Sequence, residues 1–426
     1  MKKSIFNLLL VMLAVCGVSC NQQSVKSDNS PEVLLQEEGG FPVSEWDYAQ
    51  AILMHTPGEE LFDGVIHPYA GLFEYYFDVD KAAEEHRGYI EALESNGIEV
   101  YTIRELLNQV PMDRLRDCAM NVLTYDTSAL SAEAAAENEA YRISIIDQMS
   151  RADLIRCILL RPTVKLYTID NNTGVEAVYT HSPLMNLYFT RDQSITTPRG
   201  HIISQMNSSQ RAYETQIIAL CYEQLGVKPI LTITGEGRLE GGDYLRGGDI
   251  SYIGCGMRTN IEAIEQIMEA DAFGHDTVAV VKDYKWWQMQ MHLDTYFNII
   301  DEDLCTLVES RYYAKEGEPE WVTVDLYTRE AGAKEYTLTQ SDIPFVEFLE
   351  QRGFTIIPIS LKDELHYANN FLTIAPRHIM AVGNQSEELQ QALAQHGVTV
   401  EWIPLETLIK GYGAAHCMTQ VIRARQ

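Results

Sequence analysis

Along the chain one alternation of apolar and polar positions keeps returning: a stretch with helical periodicity, a glycine, then a run of β-branched residues. Residues 80–96, 210–225, 261–272, 341–352 and 386–396 predict amphipathic helices. Gly97, Gly226, Gly274, Gly353 and Gly397 follow them. A glycine there supplies the left-handed residue that ends a helix. The runs 98–103, 227–233, 277–281, 354–359 and 398–403 predict strands, because β-branched side chains favour a pleated, buried surface. Helices alternating with strands predict an α/β fold. Five such units suit either a doubly wound sheet or a ring of five blades, and periodicity does not choose between them.

The longest gap lies between the first and second units. Within it, 111–123 and 130–160 read as helices. Pro111 suits a first helical position, and Ala132-Glu133-Ala134-Ala135-Ala136 is a strong helix former. A helical insertion at about residues 105–165 is therefore expected inside a single domain of 41–426.

The first residues do not share this pattern. Lys2 and Lys3 precede an apolar stretch, 5–15, too short for a permanent membrane span. Gly17-Val18-Ser19-Cys20 then resembles a bacterial lipobox, which implies removal of residues 1–19 and acylation of Cys20. Cys16, after Leu13-Ala14-Val15, is a second candidate. Residues 20–40 are polar and read as a flexible, lipidated tether. The expected location is an exported, membrane-anchored lipoprotein on the periplasmic or cell-surface face. No other segment approaches the length of a span.

Composition narrows the partners. Asp and Glu total 61 against 32 Lys and Arg, a formal charge of −29, which argues against nucleic acid, since phosphate binding needs clustered cations. Such a charge suits a cationic small substrate. Hydrophobic and charged contents of 46% and 22% are globular values and exclude a disordered or collagen-like chain. Cys118, Cys157, Cys221, Cys255, Cys305 and Cys417 are scattered, with no CxxC and no metal spacing. Neither metal nor cofactor is expected, and most thiols should be free, with Cys157 and Cys221 as small buried hydrophobes. The oligomeric state is open, a homo-oligomer included.

Five segments place polar residues in apolar surroundings: Asn186-Leu187-Tyr188-Phe189-Thr190-Arg191-Asp192; Glu240-Gly241-Gly242-Asp243; Arg258-Thr259; Met291-His292-Leu293-Asp294-Thr295; and His416-Cys417-Met418-Thr419. Each alone has a bland reading. Thr-Arg-Asp ends strands, and Glu-Gly-Gly-Asp makes turns because glycine permits positive φ. Together, a cysteine, a histidine and several carboxylates fit covalent catalysis by a thiol. On a strand, His292 and Asp294 would face one side, and glycines in 410–415 would let backbone approach a substrate.

These segments, in this order and at similar spacing, resemble the arginine deiminase family of the guanidine-modifying superfamily. The likeness also covers Ser44-Glu45, His55-Thr56-Pro57-Gly58 with Glu60, and 370–376, so it spans about 43–426, helical insertion included. It implies a five-bladed α/β propeller with a helical insertion, which favours the ring. It implies hydrolysis of a guanidine, free L-arginine to L-citrulline and ammonia, with no cofactor. Cys417 would attack the guanidinium carbon. Asp192 and Asp294 would grip the nitrogens, as carboxylates match the guanidinium fork. His292 would be general acid and base, with Glu240 orienting it. Asn186, Phe189, Arg211, Arg258 and Asp243 would bind substrate, Arg211 and Arg258 through its carboxylate.

Two further expectations follow. Carboxylates beside Cys417 should raise its pKa, so the arriving cation and protonated His292 would let the thiolate form. Tyr412 stands where the family usually carries an arginine, with Lys410 a candidate substitute, and His416-Cys417 looks more like the agmatine and peptidylarginine branch. Deimination of agmatine or peptidyl arginine is thus the alternative, followed by amidino transfer and by a silent guanidine-binding lipoprotein.

Overall fold

The computed structural model describes residues 40–171 and 173–426. The expected signal peptide and the lipidation candidates Cys16 and Cys20 lie outside them. The fold is mixed α/β, with strands in six separate sheets, so no single wound sheet runs through the molecule.

Five sheets repeat one connection: an antiparallel pair, a helix, then a strand parallel to the second of the pair. Ser194–Thr197 and Gly200–Ile203 pair antiparallel, and Leu231–Thr232 returns parallel after the helix Glu214–Gln224. The next copy uses Tyr244–Arg246, Ile250–Cys255, the helix Ile261–Glu269 and Thr277–Lys282. It is widened by the hairpin Thr323–Thr328 and Thr337–Pro344. A third uses Phe297–Asp301, Leu304–Val308, the helix Phe345–Gln351 and Thr355–Ile359. A fourth uses Leu372–Ala375, His378–Val382, the helix Glu387–Gln395 and Thr399–Ile403. The last copy joins the two ends of the chain: Gln420–Arg425 pairs antiparallel with Tyr48–Met54, which pairs parallel with Glu99–Thr102 after the helix Val79–Ser95.

The glycine signals hold at four helix ends; at the fifth, the helix Ile261–Glu269 stops earlier than expected, Asp271 at φ +54° is the left-handed residue, and Gly274 lies five residues beyond the helix. Gly97, Gly226, Gly274, Gly353 and Gly397 have φ of +76°, +69°, +86°, +91° and +71°, the left-handed region where a Cβ is penalised. Element edges differ more. The helix expected at 341–352 begins only at Phe345, because 337–344 forms the outer strand of a hairpin. The strand expected at 227–233 shrinks to Leu231–Thr232. The helix expected at 210–225 opens as a 3-10 turn, Ser209–Arg211, before the α-helix proper.

The insertion also departs from expectation. Residues 130–160 form two helices, Ala132–Gln148 and Arg151–Leu160. Ser150 breaks them apart by accepting a hydrogen bond from the Asp153 amide at the second N-terminus. Pro111 is the N-cap of Met112–Val122 instead of its first residue. The segment carries a sheet as well, Thr124–Ala129, Pro162–Thr168 and Val175–His181, so it extends beyond residue 165 and is not purely helical.

No disulfide links Cys118, Cys157, Cys221, Cys255, Cys305 and Cys417, and Cys157 and Cys221 are buried as expected. Among the described residues no helix is long and apolar enough to cross a membrane. The joint between the chain's ends is fully packed. Ile52 is 0% exposed, pairs with Val100 on one side and Val421 on the other, and shares its cluster with Leu372 and Met418. Ile52→Ala should cost about 2–5 kcal/mol through lost burial and a residual cavity, read as a lower urea midpoint with an unchanged slope. A change below about 0.5 kcal/mol would show that the joint repacks freely.

Candidate active site

The turn 186–192 is sewn to the segment around Cys417. The Arg191 amide donates to the Cys417 carbonyl at 3.1 Å, and Arg191 Nε donates to the His416 carbonyl at 3.2 Å. Thr190 Oγ1 donates to the carbonyls of Leu53 and Met418 at 3.0 and 2.9 Å. Residues far apart in sequence are thus locked at backbone level, and Asp192 and Cys417 line one small cavity. Leu72, Phe189, Arg258 and Tyr412 border it too. Asn370 holds the nucleophile's loop from below: its Oδ1 accepts from the amides of Ala414 and Cys417 at 2.9 and 3.1 Å.

Glu240-Gly241-Gly242-Asp243 needs its glycines for space. It forms a 3-10 turn, and neither glycine is left-handed, contrary to the turn expected from glycine's positive φ. A Cβ on Gly241 would lie 2.0 Å from the Arg191 carbonyl, and one on Gly242 would lie 2.6 Å from His292 Nδ1. Similarly, a Cβ on Gly411 would lie 2.1 Å from the Tyr188 hydroxyl, and one on Gly413 would lie 2.5 Å from the Phe189 ring. In the loop before Cys417 these two glycines make room for aromatic rings.

His292 and Asp294 are not on a strand. His292 caps the one-turn helix Leu293–Tyr296, on which Asp294 is the second residue. Both are buried, and they point to different partners. His292 Nε2 meets Glu240 Oε2 at 2.9 Å, and Nδ1 lies 3.7 Å from Asp192 Oδ1. Asp294 Oδ2 accepts from His416 Nδ1 at 2.7 Å and from Cys417 Sγ at 3.6 Å. Asp192 therefore stands beside both Cys417 and His292.

The arginines divide. Arg211 is fully engaged: Nη1 donates to Asp192 Oδ2 at 2.8 Å, while Nε and Nη2 donate to Glu214 Oε2 at 3.0 and 2.9 Å. Arg258 donates one nitrogen to Gln288 Oε1 at 2.9 Å, and its buried Nε has no hydrogen-bond partner. Asp192 Oδ1 and Asp294 Oδ1 are likewise buried and unbonded. Asn186 is buried, with its amide nitrogen on the Gly71 carbonyl. Asp243 does not border the cavity with Cys417; its Oδ1 accepts from the Leu293 amide at 3.0 Å and anchors the helix bearing Asp294.

The electrostatics follow from burial. Burial, then the charges of Asp294 and Asp192, push the Cys417 thiol well above its ordinary value, as the crowd of carboxylates led us to expect. Burial alone would lower His292, but Asp192, Glu240 and Asp243 outweigh it and raise it to about 9. Burial would raise Glu240, but Arg258, His292 and Arg211 hold it at about 2. Burial lifts Asp243 to about 6. At neutral pH the site thus holds a neutral thiol and, next to Asp192, an imidazolium. Among the described residues, Asp192, Glu240 and His292 form one group whose ligand atoms lie within 4.8 Å of one another. Arg211 Nη1 already places positive charge 2.8 Å from Asp192 and 3.9 Å from Glu240.

Sequence reasoning named most of this site but missed Gln288, Leu72 and Asn370 as members. Gln288 lies in a stretch with no recognisable pattern. Leu72 is marked only by its backbone, at φ +62°.

The profile of the family described as arginine deiminase matches residues 70–424. The arginine deiminase of Halobacterium salinarum is 27% identical, over 93% of this chain and 99% of its own length. That of Latilactobacillus sakei is 24% identical, over 90% and 98%. Among solved structures, DDAH from Pseudomonas aeruginosa complexed with citrulline shares the fold at a TM-score of 0.51 and 18% identity, covering 88% of this chain and 99% of its own. The N-terminal domain of ArgZ, a cyanobacterial arginine dihydrolase, does so at 0.52 and 16%, covering 88% and 96%.

The raised His292 value sets a pH signature. A histidine whose folded value of about 9 exceeds its ordinary 6.5 stabilises the protein fully below about pH 6.5 and ceases to as pH rises through about 9. His292→Asn should therefore destabilise the protein most near neutrality and progressively less toward about pH 10, measured as the difference in urea midpoint from the parent. A difference independent of pH would show that His292 carries no charge at neutrality.

Proposed function

The chain belongs to the arginine deiminase family, hydrolases acting on amidine C–N bonds, and from that premise we propose that it hydrolyses free L-arginine to L-citrulline and ammonia. One observation carries the reading: two buried carboxylates, Asp192 and Asp294, each keep one oxygen unbonded beside a buried thiol. A planar cation with two N–H edges fits between such acceptors. The unbonded Nε of Arg258 in the same cavity suits the substrate's carboxylate, and Phe189 packs against its aliphatic stem.

The chemistry runs through Cys417. The guanidinium's positive charge offsets the carboxylates that hold the thiol neutral, so the thiol releases its proton to solvent and the thiolate forms as the substrate settles. The sulfur adds to the guanidinium carbon. His292, protonated at neutral pH, gives its proton to the departing nitrogen, and ammonia leaves. A thiouronium on Cys417 remains. Neutral His292 then takes a proton from water, whose oxygen adds to the same carbon. The C–S bond breaks, the proton of the added hydroxyl passes to the departing sulfur, and the ureido product is released with the thiol regenerated. Glu240 orients the imidazole and balances its charge throughout.

Tyr412 supports the alternative of a substrate lacking a free carboxylate, because it borders the cavity with a phenol where the family usually has an arginine. The five repeated sheets are read as blades of a pseudo-fivefold ring, supported by the pairing of the last strand with the first. We also infer acylation at Cys20, supported by the lipobox-like Gly17-Val18-Ser19-Cys20.

Citrulline assays on the mature protein test the function. Cys417→Ala should abolish ureido product while keeping the urea midpoint near the parent's; product formed by that variant would reassign the nucleophile. Arg258→Leu should raise KM for arginine by roughly 10–100-fold, the worth of a charge-assisted hydrogen bond, and raise KM for agmatine, which has no carboxylate, far less; a change in kcat common to both would report the loss of its charge 3.6 Å from Glu240. Equal KM changes for both compounds would remove Arg258 from carboxylate recognition. Cys20→Ala in the full chain should move the protein from the membrane to the soluble fraction; membrane retention would overturn the anchor.

A further inference from the structure

We propose that His416 is a positioning residue for this reaction, holding Asp294 so that one carboxylate oxygen faces the substrate. His416 Nδ1 stands 2.7 Å from Asp294 Oδ2, with the two side chains 1% and 0% exposed. The same oxygen accepts from Cys417 Sγ at 3.6 Å. Two donors thus occupy Oδ2, and Oδ1 is left buried and unbonded. A carboxylate turns about a broad, two-fold torsion when nothing holds it; the charge-assisted bond from His416 selects one orientation.

The imidazole is itself held rigidly. The His416 amide donates to the Asn370 carbonyl at 3.1 Å, and its carbonyl accepts from Arg191 Nε at 3.2 Å. Its Nε2 faces Glu45 Oε2 at 3.8 Å, without a hydrogen bond. Glu45 is clamped by Arg246, whose Nε and Nη2 donate to it at 2.9 and 2.8 Å. His416 also neighbours Cys417 in sequence, so one short segment delivers the nucleophile and orients the carboxylate opposite. Nothing places His416 against the substrate.

The inference rests on the deimination reading, which the parent protein's own citrulline yield tests separately. Two amide variants separate positioning from bulk. His416→Asn puts its amide nitrogen close to the place of Nδ1, so it keeps the bond to Asp294. His416→Gln reaches toward the place of Nε2 and loses that bond. H416N should retain kcat/KM for arginine within about threefold of the parent, and H416Q should fall ~10–100-fold, the usual effect of removing an orienting partner, with both unfolding at similar temperatures. Equal activity in the two variants, high or low, overturns the proposal. Histidine NMR on the Cys417→Ala protein gives a second measure if either amide variant fails to fold. The His416 Nδ1 proton should appear downfield, protected from exchange, and shift when arginine binds. A resonance unmoved by arginine overturns it equally.

Discussion

The antiparallel pairing of Gln420–Arg425 with Tyr48–Met54 is the constraint on which the site depends. It ties the tail of the chain to the opening strand and brings Cys417 under the turn 186–192. Arg191 and Thr190 then stitch that turn to Cys417, His416 and Met418 through main-chain carbonyls. One of these bonds, from the Arg191 amide to the Cys417 carbonyl, runs backbone to backbone, and the others join buried side-chain donors to main-chain carbonyls, so the position of Cys417 relative to Asp192 is fixed by several contacts at once. Five copies of one connection supply rigid edges, and the polar residues sit where the connecting turns converge.

Burying this much charge is expensive unless each group is compensated. The site meets that demand asymmetrically. Asp192 has Arg211 on one oxygen and Asp294 has His416 on one oxygen, and each keeps the other oxygen unbonded. Glu240 is more than compensated, with His292, Arg211 and Arg258 around it. Cys417 is the reverse case, a thiol among anions, held neutral until a cation arrives. On the proposed mechanism, this arrangement links the reactivity of Cys417 to the charge of its substrate.

Much of this was legible in the sequence. The helix-ending glycines Gly97, Gly226, Gly353 and Gly397 are local signals, set by backbone sterics at one residue, and all four are left-handed; at the fifth helix Asp271 takes that place. The chemical segments were legible because polar residues interrupt apolar runs. What failed was decided by tertiary context. Residues 341–344 have helical neighbours, yet a hairpin partner claims them as strand. His292 and Asp294 looked like alternate residues of a strand, but the Asp243 carboxylate anchors the Leu293 amide and turns them onto a single helical turn. The glycines at 241 and 242 serve close approach, which no propensity encodes. Arg211 does line the cavity as expected, and what the sequence does not show is that Glu214, one helical turn onward, engages two of its nitrogens.

The late position of Cys417 bears on when activity begins during the protein's life. The strand Tyr48–Met54 precedes its antiparallel partner Gln420–Arg425 by more than 360 residues and stays unpaired on that side until that segment is made. Asp192, Glu240, His292 and Asp294 emerge before the sulfur, and the segment that orients Asp294 emerges with it. A chain that stops short of Cys417 therefore lacks both that thiol and the closing strand Gln420–Arg425.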